Sequence, residues 1–281
     1  MASQFELRQY VDSIDGCVTD DDVDVKKEAA KDIYLEACRR FDTVPSRHFI
    51  AHCNEPILTL KNNGLGPKGV QALAEALIQN VEITQLNLQN NFIDNQAGQA
   101  IGEVLKQNQT ITILNLAENK IAHGAQAIAE SLIGNKTMAS ICLSGNTSII
   151  HHPIVIKHVD NELSDNEAVA FATMLKTNRT LVHLDLSNNK ITDYGAAALG
   201  QAIATNDMIK EVNLSWNHLR PRGVQLIMTG IRDNPSVTWL HLGWNSITDP
   251  IAQFTGQVLS KNSFLNYLNL RYASTKIVHM K

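Results

Sequence analysis

One short frame, apolar-x-apolar-x-x-Asn-x-apolar, recurs along this chain and constrains its fold more than any other feature. It reads "LTLKNNGL", "LNLQNNFI", "LNLAENKI", "LDLSNNKI", "VNLSWNHL" and "LHLGWNSI", with "ICLSGN" and "LNLRYAS" in the same phase. Its first apolar position falls at Leu58, Leu86, Leu114, Ile141, Leu184, Val212, Leu240 and Leu268, in steps of 28, 28, 27, 43, 28, 28 and 28. Alternating apolar residues predict a short strand. The stretch that follows, for example "GVQALAEALIQN", repeats its apolar residues at three- and four-residue spacing, as an amphipathic helix requires. A strand-plus-helix unit of this size cannot bury its apolar face alone, so the units must stack into one continuous core.

The frame is that of the leucine-rich repeat, and a strand plus a full helix in about 28 residues resembles the ribonuclease-inhibitor-like class. The expected fold is an α/β leucine-rich repeat solenoid (horseshoe) of about eight repeats, with parallel strands on the concave face and helices on the convex face. Residues 1–55 are expected to form an N-terminal helical cap with a flexible acidic start, and residues 56–272 the repeats. The long step leaves 15 extra residues, "TSIIHHPIVIKHVDN", read as an insertion at 147–161. Residues 273–281 are read as a tail without a capping repeat, because Ala273 stands where the frame has its asparagine. Asn63, Asn91, Asn119, Asn146, Asn189, Asn217 and Asn245 recur in phase and are read as a structural ladder that satisfies backbone groups. Gly69, Gly195 and Gly223 are assigned to the strand-to-helix loop. Ile251 replaces that glycine in the last such loop, with Asp249 as N-cap and Pro250 in the first turn.

Three stretches, "YLEACRRFDTVPSRHFI", "NNGLGPKGVQALAEAL" and "SWNHLRPRG", resemble the intracellular leucine-rich repeat-containing protein 74 group. The resemblance covers most of residues 34–272 and departs at the insertion and after residue 272. It implies an intracellular, non-enzymatic repeat protein. The repeat type is also shared with activators of the Ran GTPase, whose acidic tail has no counterpart here.

Composition narrows the function classes. A net charge of −4 gives no electrostatic reason to expect nucleic acid or an anionic membrane. The start "MASQFELRQYVDSIDG" lacks a basic and an apolar region, and no apolar run approaches the length of a membrane span. Four scattered cysteines without CxxC spacing read as reduced thiols, so a cytoplasmic location is expected. The five N-x-S/T matches, at Asn108, Asn135, Asn146, Asn178 and Asn213, are read as products of the repeat. No nucleophile elbow, phosphate loop, zinc motif or dinucleotide fingerprint occurs, so no enzyme, cofactor or metal is expected. His151, His152 and His158 in the insertion lack an accompanying cluster of ligands.

Function is therefore expected in a surface. Residues that flank the buried strand positions face the concavity. In the N-terminal units they are small or polar. In the last units they become Asp185, Glu211, Trp216, Trp239, His241, Trp244, Tyr267, Arg271 and Tyr272. Trp216, Trp244 and Tyr272 occupy one register position, Trp239 and Tyr267 another, in a chain that is only 5% aromatic. The leading expectation is a protein-interaction scaffold that holds a protein or peptide partner on this aromatic patch. Two other readings are a small-GTPase regulator and a structural subunit of a cytoskeletal or ciliary assembly. The C-terminal edge is a further candidate contact, with a partner or in a homodimer.

Overall fold

A computed structural model describes residues 20–145 and 161–271, with side chains from Ala30 onward. Helices α1 (Asp20–Phe41) and α2 (Arg47–His52) precede eight strands with seven helices between them among the described residues. The strands are β1 (Ile57–Thr59), β2 (Gln85–Asn87), β3 (Ile113–Asn115), β4 (Ser140–Cys142), β5 (His183–Asp185), β6 (Glu211–Asn213), β7 (Trp239–His241) and β8 (Tyr267–Asn269). The helices between them are α3 (Gly66–Gln79), α4 (Asn95–Gln107), α5 (Gly124–Gly134), α6 (Asp165–Thr177), α7 (Asp193–Thr205), α8 (Pro221–Arg232) and α9 (Asp249–Leu259). All eight strands form one parallel sheet in sequence order, and Leu58, Leu86, Leu114, Ile141, Leu184, Val212, Leu240 and Leu268 are successive register partners. The expected leucine-rich repeat solenoid is the fold observed.

Its core is one column of apolar side chains between sheet and helices. The two alternating apolar residues of each strand are buried from Leu58 and Leu60 through to Leu240 and Leu242. At the other end, Tyr34 and Phe49 from α1 and α2 meet edge to face at 4.5 Å and join the same core against α3. The Tyr34 hydroxyl accepts a hydrogen bond from the Ser46 amide at 2.9 Å.

Buried side-chain amides tie the turns together. Asn119 is representative: its Oδ1 accepts from the Asn91 and Ile93 amides at 2.9 and 3.1 Å. Its Nδ2 donates to the carbonyls of Leu88, Leu116 and Ala117 at 3.1, 2.9 and 3.0 Å. One side chain thus closes its own turn and bridges back to the preceding repeat. Asn91, Asn189, Asn217 and Asn245 make the equivalent bonds to Leu60, Leu143, Leu186 and Leu214.

Two of the expected rungs differ. Asn63 is exposed, with Nδ2 turned to its own Lys61 carbonyl at 3.2 Å. It sits in the first repeat, so no earlier repeat offers a carbonyl for it to bridge. Asn146 lies outside the described residues, and the rung is filled by Asn161, which donates to Leu116, Leu143 and Ser144 at 3.1, 3.0 and 3.1 Å. Because the extra segment is flanked by asparagine on both sides, removing 147–161 or 146–160 restores the same repeat sequence. The hydrogen bonds choose the second alignment and move the boundary by one residue.

A second ladder was not anticipated. Asn80, Asn108, Asn135, Asn178, Asn206, Asn234 and Asn262 are all buried within about three residues of the helix ends. The Asn108 Oδ1 accepts from the Thr110 and Ile111 amides, and its Nδ2 donates to the Leu77 and Asn80 carbonyls at 2.8 and 2.9 Å. Asn206, Asn234 and Asn262 repeat the pattern. Three of the N-x-S/T asparagines, Asn108, Asn135 and Asn178, are therefore spent inside the fold.

The helix starts also correct the reading of the glycines. Gly195 and Gly223 lie in the first turns of α7 and α8, not in a loop. The Asp165 Oδ1 accepts from the Thr192 and Gly195 amides at 2.7 and 3.0 Å, and the Asp193 Oδ1 accepts from Arg220 and Gly223 at 2.8 and 2.9 Å. A Cβ on Gly223 would stand 2.3 Å from the Asp193 Oδ1, so the glycine makes room for the preceding repeat's carboxylate. The next pair in register is Pro221 and Ile251, which have neither the carboxylate nor the need for glycine. Thr248, not Asp249, is the N-cap of α9, and Asp249 is its first residue.

Asn119→Ala is expected to destabilise the fold by about 3 kcal/mol or more, since five backbone groups lose a buried partner. Asn63→Ala should cost less than about 0.5 kcal/mol, as an exposed substitution does. Urea unfolding of the two variants checks this contrast. Thr255 is buried in α9 with no partner for its hydroxyl, at the helix position filled by Ile227 and Leu199 in the two preceding repeats. Thr255→Val should therefore raise stability by about 1 kcal/mol in the same measurement.

Candidate functional site

The open face of the sheet carries the residues that the strand alternation turns away from the core, and its two halves differ in chemistry. In the N-terminal half the side chains satisfy one another. The Asn90 Nδ2 donates to Asn62 Oδ1 at 2.8 Å, and the Gln89 Nε2 donates to Glu118 Oε1 at 2.8 Å. Ile57 and Ile113 are the exposed apolar residues on these strands.

From β5 onward the same positions hold charged and aromatic groups. Trp216 and Trp244 stack with centroids 3.8 Å apart and planes 18° apart. Trp239 and Tyr267 stack at 4.6 Å and 26°, and His241 leans on Tyr267 at 5.2 Å. Trp216, Trp239 and Tyr267 remain 36%, 45% and 38% exposed after stacking. Between the two stacks the strand presents Ser215 and Gly243, so the rings form two ridges with a low floor between them. Five residues along the chain separate the ridges, Trp239 to Trp244, so they stand at most roughly 17 Å apart.

Backbone conformation singles out one ridge. Asn62, Asn90, Glu118, Asn188, Trp216 and Trp244 share a register position and all adopt positive φ, at 59°, 53°, 57°, 51°, 56° and 58°. Asparagine tolerates the left-handed region, whereas a bulky side chain there is a strained outlier costing about 1–3 kcal/mol. Stacking of the two indoles returns about 0.5–1.5 kcal/mol. The repeat geometry therefore does not favour tryptophan at these positions.

A polar cluster adjoins the other ridge. Glu211 is the register partner of both His183 and Trp239. The His183 Nδ1 lies 3.1 Å from its Oε2. The His241 Nε2 approaches its Oε1 to 3.3 Å as an ion-pair contact, but out of line for a hydrogen bond. Asp185, on the strand before, accepts from the Ser187 amide at 2.9 Å and stands 3.7 Å from the Cys142 Sγ. Burial, with the neighbouring Asp185 carboxylate adding to it, pushes the Cys142 thiol up to about 12, so it is held as an unreactive thiol.

The structure thus brings Asp185, Glu211, Trp216, Trp239, His241, Trp244, Tyr267 and Arg271 onto one face of neighbouring strands. Tyr272 lies outside the described residues, as do His151, His152 and His158. Among the described residues no group of histidine, cysteine and acidic side chains could hold a metal ion, and no helix is long and apolar enough to cross a membrane. The left-handed backbone at Trp216 and Trp244 was missed from sequence. Its signal is that five other repeats place asparagine, glutamate or glycine at that position.

Comparison with known protein families agrees with the repeat. The family described as Leucine Rich repeat matches residues 57–74, 107–129, 177–200, 205–228 and 233–254. Among solved structures, the chain is similar to the actin-binding site 2 of leiomodin-1, with 18% identity over 53% of this chain and 79% of that one and a TM-score of 0.42. The tropomodulin C-terminal domain of Caenorhabditis elegans shows 16% identity over 59% and 92%, with a TM-score of 0.46. An internalin of Listeria monocytogenes shows 13% identity over 75% and 66%, with a TM-score of 0.40. By the repeats in its sequence and the solenoid they build, the chain has the leucine-rich repeat fold.

Proposed function

We propose that this protein is an interaction scaffold that binds a protein or peptide partner on the aromatic, C-terminal part of its concave face. Leucine-rich repeat domains generally mediate protein–protein interaction, and an aromatic surface of this kind is where binding energy concentrates. One observation carries the reading. Trp216 and Trp244 are held in a left-handed conformation where three of the other repeats use asparagine, and Trp216 still exposes a third of its surface. Backbone strain retained at an exposed aromatic pair is explained by a contact that uses the rings. The binding surface consists of Asp185, Glu211, Trp216, Trp239, His241, Trp244, Tyr267 and Arg271, with Tyr272 at the equivalent position of the sequence repeat. Mixed charge along it suits a peptide surface better than a phosphate backbone.

The reading includes a cytoplasmic setting, supported by free thiols at Cys38, Cys53 and Cys142. It also includes the ribonuclease-inhibitor-like repeat subtype and kinship with the leucine-rich repeat-containing protein 74 group, supported by the 28-residue unit and the stretches quoted above.

The test replaces each tryptophan by the residue that the repeat itself prefers. The Trp216→Asn/Trp244→Asn protein is expected to unfold within about 1 kcal/mol of wild type, because lost stacking and relieved strain offset each other. In affinity capture from cytosol it should lose the partners that wild type retains. Equal recovery of every partner by the folded variant would refute the concave site.

A further inference from the structure

The proposed binding surface also has a chemical preference, and the inference drawn here rests on that reading of the concave face. We propose that the partner segment presents an arginine to the Glu211 end of the patch and an apolar side chain, about four residues away, to the Trp216–Trp244 ridge.

Three observations carry this. First, charge on this part of the face is ordered. Asp185 and Glu211 stand on neighbouring strands β5 and β6 and face the concavity, while Arg271 lies two strands beyond Glu211, past Gly243. With the histidines counted neutral, the β5–β6 region carries two uncompensated carboxylates. Neither has a lysine or arginine within ion-pair distance among the described residues. Second, the Glu211 carboxylate is aimed. His183 hydrogen-bonds one of its oxygens at 3.1 Å from one flanking strand, and His241 stands 3.3 Å from the other oxygen, out of line for a hydrogen bond, on the opposite strand. Third, Trp239 is the register partner of Glu211, on a strand about 4.8 Å away. One face of its indole is covered by Tyr267, and nearly half of the residue is open to solvent.

A carboxylate beside an open indole face is the pairing that a guanidinium fits. Its planar fork accepts a carboxylate in bidentate fashion while its π-face stacks on an aromatic ring. Acidic side chains from a partner would meet Glu211 and Asp185 with like charge, which sets specificity by repulsion as well as attraction. Four residues of an extended chain span roughly 13 Å, within the limit of roughly 17 Å that five residues set on the distance between the ridges. This sets the spacing chosen between the basic and the apolar residue.

The experiment uses the full chain and a synthetic probe: an acetylated, amidated peptide with one arginine and one leucine separated by three serines. Its control carries glutamate in place of arginine. Tryptophan fluorescence and calorimetry report binding. The arginine peptide is expected to bind at least about tenfold more tightly than the control, and Glu211→Gln should reduce that preference to about threefold or less. Trp216→Asn should weaken both peptides and leave the preference intact. Equal affinity for the two peptides, tighter binding of the glutamate peptide, or no saturable binding of the arginine peptide would overturn the inference. If the peptides fail while partner capture still requires Trp216 and Trp244, the concave site stands and only its arginine chemistry falls. If capture is independent of the tryptophans, the site itself falls.

Discussion

The hydrogen bonds of a buried asparagine side chain are the interaction on which the rest of this structure depends. Each strand is only three residues long, so the sheet alone supplies few bonds per repeat, and the chain must turn sharply away from it. Burying that turn would leave amides and carbonyls unpaired at a cost of about 1–3 kcal/mol each. A carboxamide has both donors and an acceptor, so one side chain can close its own turn and reach back to the previous one. Asn119 does this with five bonds. A second column, from Asn80 to Asn262, does the same beyond the helices. The repeat is thereby fastened on both sides of the core, and the strand is left free to present its outer face.

That arrangement explains why the outer face can vary so widely along the molecule. The residues on it contribute little to stacking, so they can be small and self-paired near β2 and aromatic near β7 without disturbing register. The asparagine ladders impose a constraint in return. They bring the residue just before each turn into the left-handed region, where asparagine or glycine is comfortable and tryptophan is not. The tryptophans at 216 and 244 therefore run against the local backbone preference, and their reason has to be sought in what the surface contacts.

Much of the fold was legible because repetition makes errors visible. Seven steps in near-perfect phase fixed the strands, the helices and the first ladder, and the same arithmetic exposed the extra segment. The parts that were misread share one cause: each depends on a neighbour in space and not on a residue's own type. Asn63 carries the consensus asparagine yet is exposed, because it has no earlier repeat behind it. Asn146 and Asn161 are indistinguishable by alignment, and only the bonds to Leu116, Leu143 and Ser144 choose between them. Gly195 and Gly223 looked like loop glycines, but they accommodate carboxylates from the preceding helix. The second ladder was in plain phase in the sequence, and it went unread because an asparagine after a helix is an ordinary stop signal.

The sequence by itself determined that this chain must be a stacked strand-and-helix solenoid, since a 28-residue period of apolar residues can be buried in no other way than by its neighbours. It also determined which residues leave the core on the concave side, because alternation along a strand has a period of two. Only the tertiary structure decided how those residues meet: that the four rings form two stacks with a low floor between them, that Glu211 lies between two histidines beside Trp239, and that two tryptophans sit on strained backbone. These are contacts between repeats and a dihedral imposed by the turn, and neither is encoded in the residue types of any single unit.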